Sequence, residues 1–184
     1  MDLSLAPKLF AWGILLLQAD ILIIVLACLF DRDGWIIRVV KKYALPILAF
    51  IGACAIVGSL TLSEGLGWEP CKLCWFQRIF LYPTFFIALV AWWKNDRGAV
   101  RYILTLTLVG ICFSIYHYFL QMSGTTTMPC SVMGQGPSCG ATFIKQFGYI
   151  TIPMMALTLN LYAIVVSWIV LLKEKAPTLP EQNV

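Results

Sequence analysis

The fold is decided by the stretch YITIPMMALTLNLYAIVVSWIVLL, residues 149–172, in which no side chain carries a charge. A helix needs about 20 predominantly apolar residues to cross a hydrocarbon core that is about 30 Å thick. Inside that core the backbone amides have no water to bond with, and a helix satisfies them within one segment. The stretch is therefore predicted to be a transmembrane helix.

Four more apolar stretches of similar length precede this one, and short polar segments separate them. The composition agrees, because 60% of the residues are apolar and 12% are charged, whereas ordinary globular chains have about 45–50% and about 25%. We expect an all-α membrane protein. Its predicted spans are Leu9–Phe30, Tyr43–Leu62, Trp75–Trp93, Tyr102–Gln121 and Tyr149–Leu172.

The first of these spans is long for a signal peptide and is not followed by a small-residue cleavage site, so we expect it to be retained as a helix. It contains two polar residues, Gln18 and Asp20. Polar side chains at membrane depth usually face the interior of a bundle, and we expect both to face other helices.

The distribution of lysine and arginine predicts the orientation, since cytoplasmic loops carry an excess of both. One side carries nine, and the other carries only Lys8, Lys72, Arg78 and Lys145. The N-terminus and the segments 63–74 and 122–148 are therefore expected outside, and the tail 173–184 in the cytoplasm. The net charge of +4 reflects this topology and does not indicate nucleic-acid binding.

The seven cysteines fall into two groups. Three lie within spans, where a lone cysteine acts as a small apolar residue. In the outward segments, Cys71 and Cys74 form a C-x-x-C at a predicted helix start, and Arg78 follows one turn later. The helix dipole and a nearby cation favour the thiolate, so we expect a reactive thiol of low pKa at the membrane surface.

The other outward pair, Cys130 and Cys139, lies in a loop rich in Gly, Pro, Ser and Thr. A disulfide between them is expected to be exposed, and exposed disulfides tend to be labile. Two inert disulfides and a four-cysteine zinc site are alternatives to a redox relay between the pairs. The position of the C-x-x-C at the membrane edge, beside positive charge, favours the relay.

The segment CKLCWFQR, residues 71–78, resembles the signature C-x-L-C-x-x-Q-R of the DsbB/BdbC family of disulfide-bond formation proteins. The segment FGYITIP, residues 147–153, resembles the start of the last span in the BdbC-like branch. The resemblance covers residues 43–172 and implies a four-helix transmembrane bundle. Residues 1–42 then form an extra N-terminal transmembrane helix and a basic cytoplasmic loop.

The resemblance also implies a function, that of a thiol oxidase of the bacterial inner membrane. A reduced DsbA-type thioredoxin-fold partner would attack the loop disulfide and form a mixed disulfide with Cys130. Cys139 would then exchange with Cys71, and Cys74 would pass electrons to a membrane quinone, either ubiquinone or menaquinone. Arg78 would polarise a quinone carbonyl.

Several residues near this segment have two interpretations. Gln77 completes the motif, but it can equally make a hydrogen bond that packs helices. His117, the single histidine, is either a packing residue or a donor to the quinone oxygen. The aromatic side chains of Trp75, Phe76 and Tyr82 are weak candidates for the walls of a quinone pocket.

The loop that follows Cys139 also carries a pattern. Residues 141–147 space Phe143, Ile144 and Phe147 as in a short amphipathic helix on the outer leaflet.

Two other functions compete with the oxidase. One is a vitamin K epoxide reductase-like protein, but in that family the loop cysteines precede the C-x-x-C, and here they follow it. The other is a non-enzymatic membrane protein, such as a transporter subunit, with structural disulfides. Transporters place ionisable groups deep in the bundle, and here only Asp20 lies clearly within a span.

Overall fold

The computed structural model describes residues 5–31, 34–124 and 139–172. It confirms an all-α protein with five helices that are long and apolar enough to cross a membrane. In chain order these are α1 (Ala6–Phe30), α2 (Trp35–Leu60), α3 (Lys72–Lys94), α4 (Val100–Met122) and α5 (Ile152–Leu171).

The second helix begins earlier than the hydropathy pattern predicts. α2 starts at Trp35, so residues 35–42, predicted as a cytoplasmic loop, are helical. The helix is interrupted at Tyr43, whose φ of −107° and ψ of 17° are not helical. Pro46 lies three residues further on and has no amide to bond with the preceding turn, which explains the kink. The basic residues of this segment, Arg38, Lys41 and Lys42, therefore lie in the helical part of α2 that precedes the kink.

Close packing between α2, α3, α4 and α5 depends on two glycines. A Cβ atom on Gly52 would lie 2.8 Å from the Cα of Phe85 in α3, and one on Gly110 would lie 2.7 Å from Oδ1 of Asn160 in α5. Small residues allow transmembrane helices to approach each other in this way. Close packing is important in a membrane because no hydrophobic force drives helices together there. Asn160 is fully buried and donates from Nδ2 to Oγ of Ser114 at 3.3 Å.

The first helix is attached to α5 and the segment before it by polar side chains. Gln18 donates from Nε2 to Oγ1 of Thr158 at 3.1 Å and accepts from the hydroxyl of Tyr149 at 2.8 Å. The carboxylate of Asp20 accepts from the hydroxyl of Tyr162 at 2.8 Å. The expectation that Gln18 and Asp20 face other helices is confirmed. Asp20 is thus hydrogen-bonded within the bundle, as expected of a residue that holds helices together.

The predicted amphipathic helix at 141–147 is wrong. These residues form turns and extended backbone; Gln146 bridges to Ile150, and Phe147 has a positive φ of 52°. A residue in that conformation cannot continue a helix. The aromatic side chains pack elsewhere: Phe143 stacks on Trp68 with ring centroids 5.7 Å apart, and Phe147 meets the Trp12 ring of α1 edge-on at 5.1 Å.

The two glycines of α2 provide a test of this packing. Gly52→Ala is expected to lower the thermal midpoint in detergent, because the new methyl group meets the backbone of Phe85 and such overpacking costs about 1–3 kcal/mol. Gly58→Ala is the matched control, since the nearest atom to its Cβ would be 3.9 Å away. Equal midpoints for the two variants would contradict the close contact between α2 and α3.

Candidate redox site at the start of α3

The C-x-x-C lies at the start of α3, and its first cysteine caps the helix. Cys71 has extended backbone, and its Sγ accepts from the backbone N–H of Cys74 at 3.4 Å. The sulfur thus takes the place of the oxygen that usually satisfies a free amide at this position. The cap brings the two sulfur atoms to 3.1 Å from each other. A disulfide requires about 2.05 Å, so the two sulfurs must approach by about 1 Å when an oxidant takes two electrons and two protons from the pair.

The cap does not lower the pKa of Cys71, contrary to what the position at a helix start suggests. The hydrogen bond with the Cys74 thiol, and then burial, raise the pKa of Cys71 to about 12, although His117 opposes both effects. Cys71 therefore holds its proton at neutral pH.

His117 joins the C-x-x-C to the loop that follows α4. Its Nε2 lies 3.1 Å from the carbonyl oxygen of Cys139 and 3.6 Å from Sγ of Cys71. Because a carbonyl can only accept, Nε2 carries the proton. The other ring nitrogen, Nδ1, then accepts from the amide of Gln77 at 3.3 Å. Gln77 thus bonds α3 to α4 and fixes the tautomer of the histidine.

Cys139 is buried, with 2% of its surface exposed, so the prediction of an exposed loop disulfide is wrong at this end. It belongs to one apolar cluster with Cys71, Leu73 and Leu120. Gln121 holds the next part of the loop, donating from Nε2 to the carbonyl of Ala141 at 2.8 Å. Cys130, the other predicted loop cysteine, lies outside the described residues.

A cavity of about 680 Å³ opens beside the cysteines and extends between the helices. Its lining includes Cys71, Cys74 and His117, and among the described residues Arg78 is the only arginine or lysine in it. Arg78 donates from Nη2 to the carbonyl of Ser59 at 3.2 Å and lies over the ring of Trp75. No carboxylate of the described residues forms an ion pair with it.

The three aromatic residues that were candidates for a quinone pocket lie in different environments. Tyr82 lines the cavity one turn after Arg78, and its buried hydroxyl has no hydrogen-bond partner among the described residues. Trp75 is 54% exposed, and Phe76 stacks on Phe113 with centroids 5.0 Å apart. Neither Trp75 nor Phe76 lines the cavity.

The zinc alternative can be examined at this site. Sγ of Cys71, Sγ of Cys74 and a ring nitrogen of His117 lie within 4.8 Å of one another, the one such group in the described part of the chain. Zinc–sulfur bonds of about 2.3 Å would place two tetrahedral thiolates about 3.8 Å apart, and these sulfurs are closer. Nε2 of His117 is also hydrogen-bonded to the carbonyl oxygen of Cys139. Both ring nitrogens of His117 are already hydrogen-bonded, so zinc binding would break one of these bonds, and on this ground the arrangement suits disulfide chemistry better than a metal.

Sequence reasoning missed one wall of the cavity, which comes from α1. Leu9, Gly13 and Leu17 line it. Their spacing of four residues places them on one helix face, a pattern that was visible in the sequence but that any span facing a neighbour also shows.

Comparison with known proteins agrees with the family resemblance of the sequence. The family "Disulfide bond formation protein DsbB" matches residues 41–172, and the chain belongs to this family. The chain is 38% identical to "Probable disulfide formation protein C" of Bacillus cereus, over 71% of this chain and 95% of that protein. It is 39% identical to "Disulfide bond formation protein C" of Bacillus subtilis, over 65% and 84%. No solved structure shows a significant match.

The raised pKa of Cys71 predicts its alkylation rate. Cys74→Ala removes the hydrogen bond that contributes most to the shift, so the pKa of Cys71 should fall and its alkylation at pH 8 should accelerate. The gain is about three- to fourfold for each unit of pKa, because the thiolate fraction rises tenfold while the thiolate becomes a weaker nucleophile. Mass spectrometry after a timed pulse of N-ethylmaleimide measures this rate at Cys71. The exposed Cys112 on α4 serves as the internal reference. An unchanged rate at Cys71 would contradict the assigned hydrogen bond.

Proposed function

We propose that this chain is a membrane thiol oxidase, which reoxidises the dithiol of a DsbA-type thioredoxin-fold protein and passes the electrons to a membrane quinone. Membership of the family accounts for the general role, disulfide-bond formation. One observation carries the rest: two sulfur atoms 3.1 Å apart line an apolar cavity among helices that can cross a membrane. A dithiol in that position can reduce a lipid-soluble acceptor.

The proposed exchange begins at the loop. A thiolate of the partner attacks Cys130 in the Cys130–Cys139 disulfide, and Cys139 leaves as a thiolate. Cys139 then attacks Cys71 in the Cys71–Cys74 disulfide, and Cys74 leaves. The burial of Cys139 in one cluster with Cys71 supports this step, as does the His117 side chain, which contacts both residues.

The remaining steps return the loop to its starting state. The second thiol of the partner displaces Cys130, so the partner leaves as a disulfide. Cys130 then displaces Cys71 from Cys139, which restores the loop disulfide and leaves Cys71 and Cys74 as a dithiol. Two electrons and two protons have moved from the partner to the C-x-x-C, and reoxidation of that pair would transfer them to the membrane quinone.

The cavity offers groups that fit a quinone. Bound there, a quinone would take up two electrons and two protons. Arg78 has no ion-pair partner among the described residues and can donate to a carbonyl oxygen of the ring. The buried hydroxyl of Tyr82 lacks a partner, and an unsatisfied buried donor is costly unless a ligand supplies an acceptor. Both ubiquinone and menaquinone carry two ring carbonyls.

His117 has a different part in this proposal. Its Nε2–H is directed to Cys139 and Cys71, and its Nδ1 to Gln77. Direct donation to a quinone would require breaking one of these bonds. We therefore assign His117 as a positioning residue that holds the loop against the C-x-x-C, with Gln77 orienting its ring.

We also propose the bacterial inner membrane as the location, with both cysteine pairs on the outer side. The count of nine basic residues on one side against four on the other supports an outer N-terminus and a cytoplasmic C-terminus.

Cysteine variants test the order of exchange. Cys74→Ser is expected to abolish quinone reduction by the purified protein supplied with a reduced thioredoxin-fold dithiol protein. Cys139→Ser, mixed instead with the oxidised form of that partner, should accumulate a mixed disulfide on a non-reducing gel. The free Cys130 thiol then attacks the partner's disulfide and has no neighbouring cysteine to release it, and Cys130→Ser should form none. Cys112→Ser, on the exposed side of α4, is the control and should retain activity. A wild-type protein that consumes no quinone would refute the oxidase and favour structural disulfides.

Variants of the cavity residues test the quinone step separately. Arg78→Ala should lower kcat/KM for the quinone about 10- to 100-fold, the effect of losing a hydrogen bond to a charged group, and Tyr82→Phe about two- to tenfold. Both should form the mixed disulfide at the wild-type rate. Lys94→Ala, at the far end of α3, is the control for loss of positive charge. Slower mixed-disulfide formation in Arg78→Ala would assign that residue to loop exchange instead.

A further inference from the structure

The cavity beside the cysteines does not end at the redox site. A second cavity of about 430 Å³ adjoins it. Leu17 of α1 and Phe50 and Ile51 of α2 line both cavities. The two cavities are therefore adjacent, and together we call them the groove between α1 and α2. The groove continues to Tyr43 and Pro46, where α2 is kinked.

The groove has the length and chemistry of a site for a lipid-like chain. From Ser59 to Tyr43, α2 rises about 24 Å at 1.5 Å per residue, which is most of a hydrocarbon core of about 30 Å. Polar residues concentrate at the cysteine end, and the rest is lined mainly by aliphatic and aromatic side chains.

A small residue keeps the groove open on the α1 side. Gly13 lines the cavity, and a Cβ atom placed on it would meet no atom within 4 Å. Glycine costs about 1 kcal/mol relative to alanine inside a helix, and neither close packing nor a positive φ requires it here.

We infer that α1 and α2 form the binding groove for the isoprenoid chain of the quinone, so that α1 adds a chain-binding wall outside the residues that match the family. The inference rests on the proposed function. An isoprenoid chain is the expected occupant because the groove includes the cavity lined by Cys71, Cys74 and Arg78. A chain lying between α1 and α2 would place the attached ring at those side chains.

The first test compares two quinones of the same ring, ubiquinone-0, which has no chain, and ubiquinone-4, with a menaquinone pair run in parallel. Gly13→Leu fills the groove and should raise the ratio of KM for the long-chain to the chainless quinone about tenfold. Ala19→Leu adds three of these four carbon atoms at an exposed position of α1 outside the groove and should leave that ratio at the wild-type value. An unchanged ratio in Gly13→Leu would overturn the inference. If the wild type reduces neither quinone, the proposed function itself fails.

The second test needs no turnover. Cys54 and Cys112 are both exposed, but only Cys54 lines the groove. Ubiquinone-4 should slow alkylation of Cys54 by N-ethylmaleimide relative to Cys112, ubiquinone-0 should not, and Gly13→Leu should remove the protection. Equal labelling of Cys54 with and without the long-chain quinone would overturn the inference. Protection by phosphatidylglycerol micelles to which the quinone adds nothing would assign the groove to a lipid and also overturn it.

Discussion

The hydrogen bond from Nε2 of His117 to the carbonyl oxygen of Cys139 is the interaction on which the arrangement of the site depends. It connects α4 to the loop that follows it, and the same N–H faces Sγ of Cys71 on α3. Burial excludes water from all three groups, and an unpaired polar group there would be costly. The chain at Cys139 therefore stays against the C-x-x-C, and Cys139 remains packed in one cluster with Cys71.

Hydropathy was sufficient to predict much of the fold. A membrane interior requires a helix wherever the chain crosses it, and for that reason five apolar stretches became five helices. The start of α2 was missed because charged residues on a helix that projects from the membrane have no hydropathy signal. The segment 141–147 was mispredicted because its aromatic spacing reflects contacts with Trp68 and Trp12, which are distant in sequence.

The site could be predicted only in its local part. The C-x-x-C, Gln77 and Arg78 lie within one short segment, so a motif identifies them together. The contact of His117 with Cys139 and the burial of Cys139 depend on how α3, α4 and the loop pack. No local pattern contains that information. The raised pKa of Cys71 has the same origin, since the hydrogen bond with Cys74 outweighs the favourable position at the helix start.

The extra helix explains how such a site can be both dry and accessible. A cysteine pair that reduces a lipid-soluble acceptor must be reached from the membrane, yet water beside it would allow other reactions. α1 is fixed to α5 and the preceding segment by the bonds of Gln18 and Asp20, while Gly13 lines the cavity and leaves open space where a side chain would lie. Hydrogen bonds at Gln18 and Asp20 therefore anchor α1, while Gly13 leaves the cavity open beside it. A helix packed uniformly along its length would close the groove, and a helix without anchors would leave the cavity open to lipid.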